Sequence, residues 1–458
     1  MASQAELQQF YIGKDIQDVP KPAVILDVAI IRRHCEAMQQ TVKALNVGFR
    51  AHVKTHKTPE IAALQINNAP TANFIASTPL EIETMIPLMQ TLQKTKETNI
   101  LYGIPLIPSQ IPRLARITKE LSKNKGQATL SLMIDHPDQL SSLEILAKET
   151  ASPVRIFVKV DTGYHRAGLP PSSLNKNGLL EKIVQGEERG VVHLLGLYSH
   201  NSLSYNGSSP QEAMRALSTE IRGLRDALAG NALLFPQLEK RKLVLSVGAT
   251  PQVVSSQNLI LGGDSCEEAV ELRGLLGGDD VSVELHAGVY PILDMQQVCT
   301  NAVLGRRGVE RDVALSVLAE VCSVYNDDER ETAEVLVAAG TLALGREPCA
   351  GYEGWGVVSS WRRDGGDGDA NERLIVKRIS QEHAIVGWEG GSGKKKIPLR
   401  VGQVVKIFPN HACVTGAYYG WYLVVDSDLD GQAAKVVDVW VRARGCAITD
   451  PLLDPRSI

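Results

Sequence analysis

FRAHVKTHKTPE (49–60) is the stretch on which the reading of the fold turns. An extended run, FRAHVK, ends in a Thr/His/Lys cluster and leads directly into TPEIAALQ, a helical segment. The same unit recurs along the first half of the chain. AVILD (23–27) precedes VAIIRRHCEAMQQTVKAL, and NFIAS (73–77) precedes PLEIETMIPLMQTL. ILYGIPL (100–106) leads into a helical stretch from near Ser109, and LSLMID (130–135) into DQLSSLEILAKE. VRIFVKVD (154–161), LLGLYSH (194–200), KLVLSVG (242–248) and VSVELHAG (281–288) complete the series. Continuous Val/Ile/Leu runs alternating with amphipathic helices imply a parallel sheet covered by helices. Eight or nine such strands in roughly 250 residues fit a TIM-type (β/α)8 barrel. The rival, an open doubly wound sheet, has no GxGxxG after its early strands to favour it.

After about residue 295 the pattern changes to short β-branched runs separated by turn clusters: VALSVLAEVCSVY, EVLVAAG, WGVVSSW, LIVKRIS, HAIVGW, QVVKIFP, WYLVVD and VVDVWVRA. The expected organisation is therefore α/β plus β. A barrel over 15–292 precedes a predominantly β domain over 293–458, which the N-terminal residues 1–14 join. RRDGGDGDANER (362–373) reads as a Gly/Asp loop, and 257–280 as an insertion before the last barrel strand.

The bulk figures narrow the function. Apolar residues are 44% and charged residues 22%, an ordinary soluble balance. The net charge of −4 offers no broad attraction to nucleic acid or to an anionic membrane. MASQAELQQFYIGKD lacks the basic and apolar regions of a secretory signal, and no apolar run approaches the roughly 20 residues of a membrane span. The seven cysteines are odd in number and lack framework spacing, which points to a reducing compartment, with the cytoplasm as the expectation.

Several segments carry chemistry. Strand alternation puts His52, Lys54 and His56 on one face of the run at 49–57. Lys54 is then either an interior amine at a barrel mouth, able to hold an aldehyde cofactor, or a strand-end surface lysine. Lys57, past the strand end, is the competing amine and reads as a solvated charge. VKVDTGYHRAGL (158–169) brings Arg166 into a loop after a strand, as a ring-nitrogen partner for a cofactor or as part of a salt-bridged loop. His200, in YSHNSLSY, is a cofactor-side residue or a satisfied buried histidine. SVGATP (246–251) offers Ser246, Gly248 and Thr250 as a phosphate cradle, and ELHAGVYPILD adds Gly288 and Tyr290. In FPNHACVTG, His411 and Cys413 are two apart and face the same way on an extended strand. They read as a zinc half-site or as a buried cysteine beside an unrelated histidine.

In the order PAVILD, RAHVKTHKTPE, VKVDTGYHRAGL, GLYSHN, SVGATP, ELHAGVY and PNHACVT, these segments resemble one family over nearly the whole chain. It is that of the eukaryotic D-serine dehydratases and their relatives, the metal-dependent D-threonine aldolases. Both belong to the alanine-racemase-like, fold-type III class of pyridoxal 5′-phosphate (PLP) enzymes. The resemblance implies a barrel, a C-terminal β domain and a homodimer with its site near the domain interface. It implies Lys54 as the Schiff-base residue and Arg166 near the cofactor ring. Ser246, Gly248, Thr250, Gly288 and Tyr290 fall in the phosphate loops, and His411 and Cys413 are the metal pair. The dehydratase pattern has His-any-Cys here, where the aldolase pattern has a carboxylate at the Cys413 position; a thiolate suits zinc.

The implied reaction is conversion of D-serine, and by extension D-threonine, to a 2-oxo acid and ammonia. Lys54 removes the Cα proton, PLP acts as electron sink, and zinc assists loss of the β-hydroxyl. Two other activities fit the same fold. An aldolase breaks Cα–Cβ, and a non-catalytic PLP carrier has no need of the long β domain bearing His411 and Cys413. A racemase needs a second base on the opposite face and leaves the metal pair without purpose. Whether a third protein ligand joins the metal stays open at this stage.

Overall fold

The computed structural model describes residues 2–123, 129–235, 241–262, 266–278, 280–359, 373–390, 395–429 and 434–444. Most of the 362–373 loop, part of the 257–280 insertion and Cys446 lie outside the described residues.

The chain divides into two compact units. After β1 (Ala23–Asp27), eight strands close into a parallel barrel: β2 (Gly48–His52), β3 (Thr71–Ala76), β4 (Glu97–Pro105), β5 (Leu130–Ile134), β6 (Val154–Lys159), β7 (Val192–Tyr198), β8 (Val244–Val247) and β9 (Ser282–Ala287). β2 pairs with β9, which seals the ring. The helices follow the sequence signals. Thr58 and Thr78 stand at N-cap positions before Pro59 and Pro79. Ser209 caps the helix Pro210–Ala229 by accepting from the Glu212 amide. That helix buries Ala213, Met214, Leu217, Ile221, Leu224 and Leu228, a stripe at helical spacing.

The barrel interior is polar in one layer, which the apolar runs do not announce. Arg50 on β2 and Glu284 on β9 form a buried ion pair, Nε to Oε1 at 2.6 Å and Nη2 to Oε2 at 3.2 Å. Their side chains are only 4% and 6% exposed. The remaining capacity of both groups is used. Arg50 Nη1 donates to Asn99 Oδ1 (2.6 Å), and Glu284 accepts from Ser246 Oγ (2.9 Å) and Asn73 Nδ2 (3.2 Å). Asn99 in turn donates to Ser131 Oγ (2.7 Å).

The second unit is built on a nine-stranded sheet. Its further strands are β10 (Leu315–Tyr325), β11 (Glu334–Val337), β12 (Gly356–Ser359), β13 (Leu374–Ile379), β14 (Ala384–Trp388), β15 (Val404–Pro409), β16 (Trp421–Val425) and β17 (Asp438–Val441). The strand order is β11-β14-β13-β12-β15-β10-β1-β16-β17. Here the structure departs from the sequence reading. AVILD, expected as a barrel strand, lies in this sheet, antiparallel to β10 and parallel to β16. The N-terminal helix Gln4–Tyr11 follows it, with Leu7 and Tyr11 in an apolar cluster with Ile16, Val19, Val436 and Val439. The sheet unit therefore comprises Met1–His34, Val289–Asn301 and Gly305–Arg442, and the barrel unit is centred on Cys35–Gly288. The expected boundary at residue 15 moves because a strand buried on both faces looks the same in either sheet. No helix among the described residues is long and apolar enough to cross a membrane.

A buried ion pair that loses one partner leaves an uncompensated charge. Arg50→Met is expected to lower unfolding free energy by about 3–5 kcal/mol, with Arg50→Met/Glu284→Leu recovering most of it, as read by urea denaturation.

Candidate active site

Strands of a parallel barrel present all their C-terminal ends on one face, and the barrel's candidate residues collect in the loops there. Lys54 follows β2, Arg166 follows β6, His200 follows β7, Gly248 follows β8 and Gly288 follows β9. The local geometry at Lys54 differs from the expected strand alternation. β2 ends at His52, and residues 54–56 form a turn. His56 is consequently buried elsewhere, with Nδ1 accepting from the Thr58 amide and Nε2 3.1 Å from Gln65 Oε1. Lys57 is no free solvated charge: its Nζ lies 2.9 Å from Oε1 of the buried Glu81. Lys54 is half-buried.

Around Lys54 the barrel gathers His52, His200, His286 and Tyr198, all buried. Tyr198 and His286 stack face to face, with ring centres 4.4 Å apart and planes 2° from parallel. His52 meets His286 edge-on at 5.3 Å, and its Nε2 is 3.3 Å from the Tyr198 hydroxyl. His286 Nε2 donates to the Ser199 carbonyl at 2.8 Å. His200 Nδ1 donates to the Gly248 carbonyl at 2.6 Å, and its Nε2 is 3.0 Å from Ser202 Oγ.

Burial holds all three imidazoles neutral. It pushes His286 down to about 3 despite the bond to Ser199, and His52 and His200 well below their usual range. After burial, the Lys54 charge is the main influence on both His52 and His200, so its ammonium belongs to this cluster. Arg166 is exposed and lies over the Tyr164 ring at 5.3 Å, and its charge also bears on His52 and His200. Asp161 organises that loop, accepting from the amides of Gly163 and His165 and standing 2.8 Å from His165 Nδ1.

Three residues here were missed in the sequence: Tyr198, His286 and Lys159. Lys159 is 5% exposed on β6, donates to the Val160 carbonyl and is pushed down to about 8, chiefly by burial. Each is a polar residue near the C-terminal end of a barrel strand, and that position is the signal that could have found them.

The two glycine loops leave space only a glycine permits. A Cβ at Gly248 (φ +134°) would stand 2.7 Å from the His286 carbonyl oxygen, and one at Gly288 would stand 2.8 Å from His52 Cβ. Thr250 is buried at the start of the next helix. Ser246, expected in the cradle, instead sits on β8 with its hydroxyl committed to Glu284. Tyr290 is buried in the sheet unit. His52 Nδ1 and His286 Nδ1 are buried and find no hydrogen-bond partner among the described residues. An amine, a stack of neutral rings, unsatisfied ring nitrogens and two glycine loops together fit a planar heteroaromatic aldehyde bearing a phosphate.

In the sheet unit, β15 ends at Pro409, so His411 and Cys413 are not on an extended strand. His411 occupies the N-cap of a short helix, Ala412–Ala417, and Cys413 lies in its first turn. The non-helical backbone of His411 (φ −137°, ψ 100°) still lets the two side chains meet in a hydrogen bond. Burial opposes protonation of His411, but the bond and charge of Cys413, with Asp294 and Glu347, hold it up to about 9. An imidazole and a thiol sharing a proton form a donor set that fits zinc. Among the described residues no group of three His, Cys, Asp or Glu side chains gathers to hold a metal.

The pair is held in place by its backbone. Asp294, 1% exposed, accepts from the Ala412 amide (2.8 Å) and from the Gln297 amide (2.9 Å), so one carboxylate caps two helices. Asn410 is fixed by Nδ2 donation to the carbonyls of Glu347 (2.9 Å) and Gly354 (2.7 Å), and its own carbonyl accepts from the Gln296 amide.

Two family models match the chain: an alanine racemase N-terminal domain over residues 26–251 and a putative serine dehydratase domain over 314–425. A D-serine dehydratase of Schizosaccharomyces pombe is 35% identical over 96% of this chain and 95% of its own length. One from Saccharomyces cerevisiae is 27% identical over 94% and 97%. Among solved structures, a D-threo-3-hydroxyaspartate dehydratase, a cysteine-to-alanine mutant in the metal-free form, shares the fold. Its TM-score is 0.71 at 23% identity, covering 94% of this chain and all of that one.

Two outcomes follow from the site's construction. The unfolded chain takes up protons near pH 6.5, whereas His52, His200 and His286 refuse them until well below that, His286 to about 3. Stability is therefore full above about pH 6.5 and is expected to fall on acidification, approaching about 4 kcal/mol per pH unit for three histidines, read from urea midpoints at stepped pH. Asp294→Ala strands two buried amides and is expected to cost about 2–4 kcal/mol in the same assay, with Asp294→Asn intermediate because it keeps one acceptor.

Proposed function

The chain belongs to the D-serine dehydratase family and is a PLP-dependent lyase acting on D-serine, and from that premise we propose how its own residues carry out the elimination. The observation that carries the reading is the Lys54 ammonium's standing among imidazoles kept neutral by burial. Lys54 is the residue that would hold the cofactor's aldehyde carbon, and its amine would be the base that takes the Cα proton. PLP, when bound, supplies the electron sink for the charge left at Cα.

Arg166 would serve the ring nitrogen, and Gly248, Thr250 and Gly288 of the barrel unit would hold the phosphate. Ser246 and His200 act one step back from it: Ser246 steadies Glu284, and His200 fixes the Gly248 carbonyl and with it the loop's path. Tyr198, stacked on His286, gives the mouth a rigid, dry wall.

His411 and Cys413 hold zinc; the description of a related dehydratase as metal-free supports a metal in this family. Zinc there supplies a Lewis acid for the departing β-hydroxyl, a poor leaving group on its own. The aminoacrylate released hydrolyses to pyruvate and ammonia. The thiolate donor at Cys413, where the aldolase pattern has a carboxylate, favours loss of the hydroxyl over cleavage of Cα–Cβ. The same reading extends to a homodimer working in the cytoplasm.

Product analysis tests it. D-serine is expected to yield pyruvate and ammonia, and D-threonine 2-oxobutanoate; acetaldehyde with glycine would mean aldol cleavage instead. Lys54→Ala should lose the absorbance of bound cofactor and at least about 10³-fold of turnover. Cys413→Ala should keep that absorbance while losing zinc and elimination. Full activity in a zinc-free Cys413→Ala enzyme would sink the metal role.

A further inference from the structure

Two cysteines that the dehydratase chemistry does not use stand against one another in the sheet unit. Cys299 ends the short helix Met295–Cys299 that Asp294 caps. Cys349 lies in the turn that returns at Tyr352, with which it forms an isolated bridge. The two sulfurs are 3.4 Å apart, and the Cys349 thiol donates to Cys299. A disulfide needs about 2.05 Å, so the sulfurs require only a small further approach.

The surroundings are shaped to this pair. Gly351 faces Cys299 so closely that a Cβ there would lie 2.3 Å from the sulfur. The Gly351 backbone hydrogen-bonds both thiols. The two sulfurs also differ in character. The Cys349 hydrogen bond, helped by the Arg373 charge and the Gly351 amide against burial, draws Cys299 down to about 7. The same shared hydrogen and burial push Cys349 up. Cys299 is part-exposed and Cys349 buried, so a small oxidant meets the thiolate first.

We propose that Cys299 and Cys349 form a modification site that takes a hydroperoxide as oxidant and closes reversibly to a disulfide. The Cys299 sulfur attacks the peroxide: an S–O bond forms, the O–O bond breaks, and the alcohol (water, for hydrogen peroxide) leaves with a proton. The Cys349 thiol gives up its proton and attacks the resulting sulfenic acid; the S–S bond forms, the S–O bond breaks, and hydroxide leaves as water. Two thiols lose two electrons in all, and the peroxide gains them.

The bond fastens the turn around Cys349 to the helix ending at Cys299. These segments are already tied by Gln296 Nε2 donating to the Pro348 carbonyl at 2.8 Å. Both support the 410–412 segment, through Asp294 to Ala412 and through the Glu347 carbonyl to Asn410.

The test uses the full-length holoenzyme, treated with hydrogen peroxide, alkylated and mapped by mass spectrometry without reduction. The expected product is a Cys299–Cys349 linked peptide, two hydrogens lighter than the separate peptides and reopened by dithiothreitol. Cys299 should react roughly tenfold faster than the exposed Cys322, which has no second cysteine described against it. In Cys349→Ser the resolving thiol is gone, and Cys299 should accumulate as a sulfenic acid captured by dimedone. Failure of the linked peptide to form, or oxidation of Cys299 no faster than Cys322, overturns the proposal. So does an absence of dimedone adduct in Cys349→Ser. None of these readouts depends on D-serine turnover or on zinc.

Discussion

The Arg50–Glu284 pair is the constraint on which the barrel depends. It joins the first barrel strand to the last, at the seam where β2 meets β9. Desolvating two charges costs several kcal/mol per ion, which their attraction offsets only when the remaining hydrogen-bonding capacity is satisfied. Here Asn73, Asn99 and Ser246 satisfy it, and those residues come from β3, β4 and β8. One ion pair thus specifies the register of five strands, because a slip of one residue turns each of these side chains to the helices outside.

The same two-residue period places the chemistry. Arg50 and His52 share the inward face of β2, and Glu284, His286 and Gly288 that of β9 and its loop. The ionic layer therefore lies one layer below the histidines, and the Arg50 charge adds to burial in holding His286 neutral. What remains at the mouth is a neutral layer of imidazoles and phenol with Lys54 above it. Lys54, half-buried at the turn above them, is the amine that the proposed chemistry uses as nucleophile and then as base.

Much of this was legible in the sequence and some was not, for identifiable reasons. The eight barrel strands and the change to β structure were readable because apolar runs and helical stripes are local signals. AVILD misled, since a strand buried on both faces carries no mark of which sheet it joins; only its pairing with β10 and β16, some 290 and 400 residues on, decides that. Lys54, His411 and Cys413 were singled out as chemistry-bearing on an assumption of extended backbone that a turn at 54–56 and a helix from Ala412 replace. The Arg50–Glu284 network, Asp294 and the Cys299–Cys349 pair left no local trace. Each is a contact between residues distant in the chain, and a lone polar residue in an apolar run does not name its partner.

On the proposed reading of His411 and Cys413 as a zinc pair, Asp294 gives a reason why two protein ligands would suffice. A metal pair presented on a loop would need a third protein ligand to fix its geometry. Here the backbone between His411 and Cys413 is held instead, by a buried carboxylate on one side and by Asn410's three hydrogen bonds to the backbone on the other. Under the proposal, the positions an ion left open would be available to water and to a substrate oxygen, as Lewis-acid catalysis requires. Rigidity supplied by hydrogen bonds to the main chain, rather than by more ligands, would keep such a site both ordered and open.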